Sequence, residues 1–281
     1  MIHIPVPARQ VIEEYMELME SRLPLALGGL YLHGSIALGA FGPGSDVDFL
    51  ALTSRSLDLG EVEVLKEIHR ILAENHDCEL DGSYILQRDL LSGIPKEGQT
   101  FTYQSGALVP GHIYNPITKL LLNSNGITVA GTPWKDLEVN LNPAETAAYV
   151  MDNMNSYWRP RVMDMKKHIQ DIKQLPSAVI NEEIAWSVLG VLRQFYTLKE
   201  NKIISKIGAG EYGLNSLPEE WHPVIRSAIE IRRGLPGCLH RPARDQVDRT
   251  IQFLHYLIDY CNTAFNNKRG KENESGTAAP F

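Results

Sequence analysis

Apolar positions fall in two rhythms along the chain, a mixed one at the front and a purely helical one behind. Residues 8–22 (ARQVIEEYMELMESR) carry Val11, Ile12, Tyr15, Met16 and Met19 at helical spacing, which predicts an amphipathic helix. The short run Leu30-Tyr31-Leu32, flanked by Gly28-Gly29 and Gly34, reads as a buried strand. A second strand is predicted at Val47–Leu52 (VDFLAL), apolar except for Asp48, with a Gly/Pro turn before it and Thr53-Ser54 after it. Residues 60–75 set Val62, Leu65, Ile68, Ile71 and Leu72 on one helical face, and residues 79–86 (ELDGSYIL) read as a third strand. Helix, strand, short helix, strand, helix, strand is the order of a mixed α/β layer, assigned to a domain at 1–141.

From about Asn142 the texture changes. Pro143 at a helix start, then ETAAYVMDNMNSYW, EEIAWSVLGVLRQFYTLKE, PEEWHPVIRSAIEIRRG and ARDQVDRTIQFLHYLIDYCNTAF, are helical patterns with short breaks and no strand candidate. The expected fold class is α+β: an N-terminal mixed-sheet domain followed by an all-helical bundle of about four or five helices over 142–265. The polar, small-residue-rich stretch at 266–281 is expected to be disordered.

Composition narrows the classes. With 43% hydrophobic and 22% charged residues the 281-residue chain reads as soluble and globular. It has no run of about 18 apolar residues, and its start lacks the basic and apolar blocks of a signal peptide, so a cytoplasmic location without membrane association is expected. Cys78, Cys238 and Cys261 form neither a CxxC nor an even set, and are read as reduced thiols. A net charge of −7 argues against a broad nucleic-acid surface and suits a cationic small molecule, although many proteins are acidic for solubility alone. A monomer is expected.

The segment LYLHGSIALGAFGPGSDVDFLAL carries the chemistry. A carboxylate inside VDFLAL is costly to bury unless something compensates it. Asp46 lies two residues before Asp48, so on a strand both project from one face, and each resists ionisation beside the other unless a cation intervenes. Mg²⁺, commonly held by one or two carboxylates plus substrate phosphates, fits that need. Gly34-Ser35 ends the preceding strand and opens a short helix, where a Cβ-free backbone and exposed N–H groups suit a phosphate, and Ser45 offers a further hydroxyl. Separately, Gly34-Ser35 is an ordinary turn and Asp46 a turn residue after Pro43-Gly44-Ser45. Specificity lies in the combination of strand, Gly-Ser, and Asp-apolar-Asp inside the next strand.

This combination resembles the signature of the polymerase β type of nucleotidyltransferase, and more closely the aminoglycoside (3″)/(9) O-adenylyltransferase family. The resemblance implies a third acidic residue on a later strand and a helical C-terminal domain. ELDGSYIL is similar to the family's third strand and places Asp81 at the acidic position, with Glu79 on the same strand face as a rival base. VLRQFYTLKENKIISK is similar to the family's arginine-and-lysine helix and loop, implying that Arg193 and Lys206 contact nucleotide phosphates. Arg232, in the stretch after it, falls near a nucleotide-contacting position, and Glu183 near a substrate-binding acid. The similarity is patchy but in order over roughly residues 28–260. Two departures matter: the family usually has Glu where Asp81 stands, and no Trp occurs before Gly131 to match the aromatic residue that helps some members hold streptomycin.

The implied reaction is attack by a substrate hydroxyl on the α-phosphate of ATP, with Asp46, Asp48 and Asp81 holding Mg²⁺, two ions being expected. ATP would lie in the cleft between the domains, and a spectinomycin-like aminocyclitol is the favoured acceptor. A protein or RNA acceptor, or a non-catalytic module of the same fold, stays open at this point.

Overall fold

The computed structural model describes residues 4–92, 100–235 and 242–275. Cys238 and the last six positions of the tail lie outside them. The chain separates into two compact units, Met1–Leu141 and Asn142–Phe281.

The first unit is a six-stranded sheet with helices on its faces. Helix α1 (Val6–Arg22) leads into β1 (Leu27–Leu32), and the one-turn helix α2 (Gly34–Ala37) precedes β2 (Val47–Thr53). Helix α3 (Leu59–Asn75) then crosses to β3 (Leu80–Leu86). Helix α4 (Gln87–Ser92), strands β4 (Phe101–Gln104) and β5 (Ala107–Pro110), helix α5 (Pro116–Asn125) and strand β6 (Ile127–Ala130) complete it. The sheet order is β5-β4-β3-β2-β1-β6, in which β2 and β3 run parallel and the other neighbours antiparallel.

Strand alternation sorts the side chains. Val47, Phe49 and Ala51 of β2 and Leu80 and Tyr84 of β3 pack with Val11, Tyr15 and Met19 of α1 and Leu65, Ile68 and Leu72 of α3. The opposite face holds Tyr31, Leu50, Leu52 and Ile85 against Leu122, Trp134 and Leu137. Asp48 and Asp81 belong by parity to this second face, where they sit at the opening ends of β2 and β3. On α3 the periodicity nominates Ile71 for the core, but His69 is the residue buried there, its ring stacked on Tyr103 at 3.7 Å and its Nε2 2.7 Å from the Tyr84 hydroxyl. Strands β4, β5 and β6 have no counterpart among the sequence-predicted elements.

The second unit is helical: α6 (Pro143–Asn153), a π-helical turn (Met154–Trp158), α7 (Arg159–Lys167), α8 (Ile169–Ile172), α9 (Ser177–Glu200), α10 (Lys206–Ser216), α11 (His222–Arg233) and α12 (Ala243–Ser275). The central helix α9 buries Ile180, Ile184, Val188, Leu192 and Phe195, a stripe at helical spacing. Against it α12 presents Val247, Ile251, Leu254, Ile258 and Cys261, all buried. Burial pushes the Cys261 thiol up to about 12, which leaves it an inert packing group. Helix α10 packs so closely that a Cβ on Gly210 would lie 2.5 Å from Ile229 and one on Gly213 2.8 Å from Leu192. The tail expected to begin at 266 instead continues α12 as far as Ser275. Among the described residues no helix is long and apolar enough to cross a membrane.

Desolvation lowers the pKa of His69 to about 3, far below the roughly 6.5 it takes in an unfolded chain. Below pH 6.5 the unfolded chain therefore takes up a proton that the folded chain refuses, and stability falls as pH drops towards 3. In His69→Gln the loss of unfolding free energy between pH 6 and 5 should be smaller by up to about 1.4 kcal/mol per pH unit, the worth of one proton, as measured by denaturant titrations.

Candidate active site

The parallel pairing of β2 with β3 sets Asp48 directly beside Asp81. Adjacent strands lie about 4.8 Å apart, so the two carboxylates project side by side from one face. At the start of β2 the Val47 N–H donates to the carbonyl of Glu79, one residue before β3, at 2.8 Å, and the same register carries back to Asp46 and Glu79. Asp46 is exposed and immediately precedes β2, Asp48 is half-buried within it, and Asp81 is half-buried within β3. Four carboxylates thus gather where the two strands open.

Gly34 fixes the position of Asp48. Its φ of +60° lies in the left-handed region, and a Cβ built on it would fall 1.7 Å from Asp48 Oδ2. A side chain there could not coexist with the carboxylate. The His33 N–H donates to the Asp48 carbonyl at 3.0 Å, tying the β1–α2 junction to β2. Burial lowers the His33 pKa to about 4, so the ring is a neutral packing group and no base at neutral pH. Ser35, next along, has a buried hydroxyl oxygen without a hydrogen-bond partner. Ser45 accepts the Gly42 N–H at 3.1 Å on its hydroxyl, closing the turn that delivers Asp46, and its own hydroxyl proton remains to be donated.

Asp81 is the electrostatic focus. Its pKa is raised to about 6, first by desolvation, then by Asp48, then by Asp46, with Glu79 contributing least; a Gln104 hydrogen bond works in the other direction. Its Oδ1 is buried and unpartnered. A carboxyl group held back from ionising beside two further aspartates is a donor set a hard divalent cation would suit. Among the described residues no group of three or more His, Cys, Asp and Glu side chains is arranged to enclose a metal ion. The chemistry of the set fits Mg²⁺ held by carboxylates of this cluster and completed by phosphate oxygens.

The remaining sequence-nominated residues lie in the helical unit. Arg193, on α9, donates from Nε to the Ile204 carbonyl at 3.2 Å and so braces the α9–α10 connection. Lys206, expected in a loop, is the first residue of α10, directly after the Ser205 cap. Arg232 is exposed near the end of α11. Glu183, on α9, is already engaged: Arg161 of α7 grips it with two bonds, Nε to Oε1 at 3.1 Å and a terminal nitrogen to Oε2 at 2.6 Å. The same guanidinium lies 4.7 Å over the Trp186 ring. Sequence reasoning missed Arg161 and Gln104. Both act across tertiary space, and Gln104 sits in a four-residue strand too short to give a periodic signal.

Comparison with known proteins bears on this geometry. The nucleotidyltransferase domain family matches residues 12–90, and the aminoglycoside adenylyltransferase C-terminal domain family matches residues 153–259. The spectinomycin adenyltransferase AAD(9) from Enterococcus faecialis, solved with ATP and spectinomycin, matches with a TM-score of 0.61 and 19% identity, over 89% of this chain and 99% of that one. The chain is thus similar to aminoglycoside adenylyltransferases, with a nucleotidyltransferase-type segment in the first unit and an adenylyltransferase C-terminal-type segment in the second. A toxin–antitoxin structure with AMP-PNP also matches, with a TM-score of 0.28 and 18% identity over 57% of this chain and 96% of that one. No curated protein matches. The first matched segment holds Gly34, Ser35, Asp46, Asp48 and Asp81, and the second holds Glu183, Arg193, Lys206 and Arg232.

The raised pKa of Asp81 has a consequence for the ligand-free enzyme. Between about pH 4, where an unfolded aspartate ionises, and about pH 6, the folded chain keeps a proton that the unfolded chain has lost. Asp81 therefore contributes a loss of stability that grows as pH rises through that window and persists above it. Asp81→Asn should melt higher than the parent at pH 7.5, and the difference should vanish at pH 4. Equal melting temperatures at pH 7.5 would mean that burial and the neighbouring aspartates do not hold back the ionisation of Asp81.

Proposed function

We propose that the enzyme transfers the adenylyl group of ATP to a hydroxyl of a cationic aminocyclitol or aminoglycoside, a spectinomycin-like acceptor being favoured. The observation that carries this reading is the register of Asp48 with Asp81 on parallel strands, with Gly34 pressed against the first of them. Asp46, Asp48 and Asp81 are the residues that would hold Mg²⁺, and the ion when bound supplies charge neutralisation at the phosphate oxygens. Gly34 and Ser35 present backbone N–H groups and an uncommitted hydroxyl to a phosphate. Arg193 and Lys206 are assigned to the β- and γ-phosphates and Arg232 to the nucleotide more loosely, as the family match to their segment supports.

The step balances as follows. The acceptor oxygen forms a bond to the α-phosphorus, the bond from that phosphorus to the bridging oxygen breaks, and pyrophosphate leaves. The hydroxyl proton passes to Asp81, whose half-buried carboxylate lies beside Asp48, whereas Glu79 is exposed and precedes the strand. A carboxylate-rich opening suits an amine-bearing acceptor. Glu183 serves it only if the amine competes with Arg161, which makes Glu183 the weakest of the assignments.

Three measurements test the reading. Pyrophosphate release from Mg-ATP over a panel of spectinomycin, streptomycin, a protein mixture and an RNA should be stimulated by spectinomycin, and stimulation by protein or RNA alone would overturn the acceptor class. Asp48→Asn should leave the ligand-free melting temperature unchanged or raised while abolishing both turnover and the stabilisation conferred by Mg-ATP. A destabilised but active variant would make Asp48 a structural residue. Lys206→Ala should weaken Mg-ATP binding about tenfold by calorimetry with the fold intact, in keeping with the roughly 1.4 kcal/mol expected for one charge-assisted contact.

A further inference from the structure

The helical unit contains a cavity of about 270 Å³, on whose lining only Glu183 has a role proposed above. It is lined by residues of α7, α8, α9 and α12, all within that unit. Ile180, Ile184, Val247 and Thr250 are nearly inaccessible and form its floor, whereas Leu175 and Val179 are close to half exposed and form its mouth. The walls are mostly aliphatic, with Arg161, Asp164, His168 and Glu183 as the charged or titratable members of the lining.

The charged groups on the lining are matched among themselves. Arg161 is bound to Glu183 through two hydrogen bonds and lies over Trp186, and His168 sits 3.1 Å from Asp164. The Arg161–Glu183 pair leaves no net charge, and Asp164, its side chain 71% exposed, stands on the solvent side of the lining. A polyhydroxylated or polycationic occupant would bury several polar groups against the aliphatic side chains of the floor, which cannot hydrogen-bond, at a substantial cost for each. One polar atom on the floor is uncommitted: Thr250 is 1% exposed and its hydroxyl oxygen has no hydrogen-bond partner. A buried hydroxyl left in that state is costly, and a ligand that satisfies it recovers the loss.

Volume sets the size of the occupant. An apolar cavity of roughly 150 Å³ holds a benzene ring, so the space here accepts about two fused rings or a short branched chain. We infer that this cavity is a binding site for a compact, uncharged, largely apolar molecule with one hydrogen-bonding group directed at Thr250. The site is distinct from the carboxylate cluster of β2 and β3, and Glu183 is the residue it shares with the acceptor assignment.

Indole is a suitable probe, being neutral, bicyclic and equipped with one N–H donor, and 1-methylindole is its partner lacking the donor. Calorimetric titration of the full chain should give saturable one-site binding of indole, with 1-methylindole about fivefold weaker, the worth of one modest hydrogen bond. Thr250→Val, which keeps the shape and removes the hydroxyl, should bind the two probes equally. Val179→Trp, a change at the exposed mouth that spares the core, should weaken indole at least tenfold while leaving the melting temperature of the free protein near that of the parent. Absence of saturable binding would overturn the site, and so would undiminished binding to Val179→Trp. Persisting discrimination between the probes in Thr250→Val would overturn the role of the floor hydroxyl.

Discussion

The close approach of a glycine to a carboxylate is the contact on which the rest of the first unit depends. Gly34 stands at φ +60° with Asp48 Oδ2 in the space a Cβ would fill, so the backbone after β1 and the acid of β2 can occupy one place only if that residue is glycine. From there the order follows. The His33 N–H is bonded to the Asp48 carbonyl, α2 starts at Gly34, and Ser35 is carried into the opening with its hydroxyl uncommitted. The parallel register then hands the constraint to β3, which places Asp81 beside Asp48. Nothing in the apolar core requires acids there, since Phe49 and Tyr84, one residue from Asp48 and three from Asp81, serve the other face. The electrostatic strain shows in Asp81, whose ionisation is held back by desolvation and by both neighbouring aspartates.

Much of this was legible in the sequence because the carboxylates interrupt otherwise uniform apolar runs. The rhythm of VDFLAL and ELDGSYIL gives two strands, and alternation puts Asp46 with Asp48 on one side of the first and Glu79 with Asp81 on one side of the second. What it cannot give is which strands are neighbours. Strands β4, β5 and β6 escaped because four residues are too few for a period to register. His69 escaped because its burial rests on a stack with Tyr103 and a bond to Tyr84, partners far away in sequence. Helix α10 escaped because KIGAGEYGLNS carries three glycines. In the fold Gly210 and Gly213 are there for helix packing, since Ile229 and Leu192 stand where their side chains would be.

In the helical unit the sequence nominates individual cations and acids, and the structure shows how differently they are held. Arg193 braces the segment that leads to Lys206, so two residues assigned to phosphate are linked through the Ile204 carbonyl. Glu183 has instead a built-in cation, Arg161, fixed by a two-bond grip and an aromatic platform. A residue-by-residue resemblance could not anticipate this pairing, because Arg161 lies on a different helix.

The central claim is that Gly34 is glycine because Asp48 must stay where it is for nucleotidyl transfer. Gly106, in the β4–β5 turn, also has positive φ but has open space where a Cβ would go, so it reports backbone strain alone. The deciding measurement compares pyrophosphate release from Mg-ATP, with spectinomycin as acceptor, for Gly34→Ala and Gly106→Ala, both verified as folded by circular dichroism. The account predicts that Gly34→Ala loses activity by at least a hundredfold while Gly106→Ala stays within a few-fold of the parent, as a displacement of about 1 Å at the reacting centre would cause. Full activity in a folded Gly34→Ala variant would contradict it.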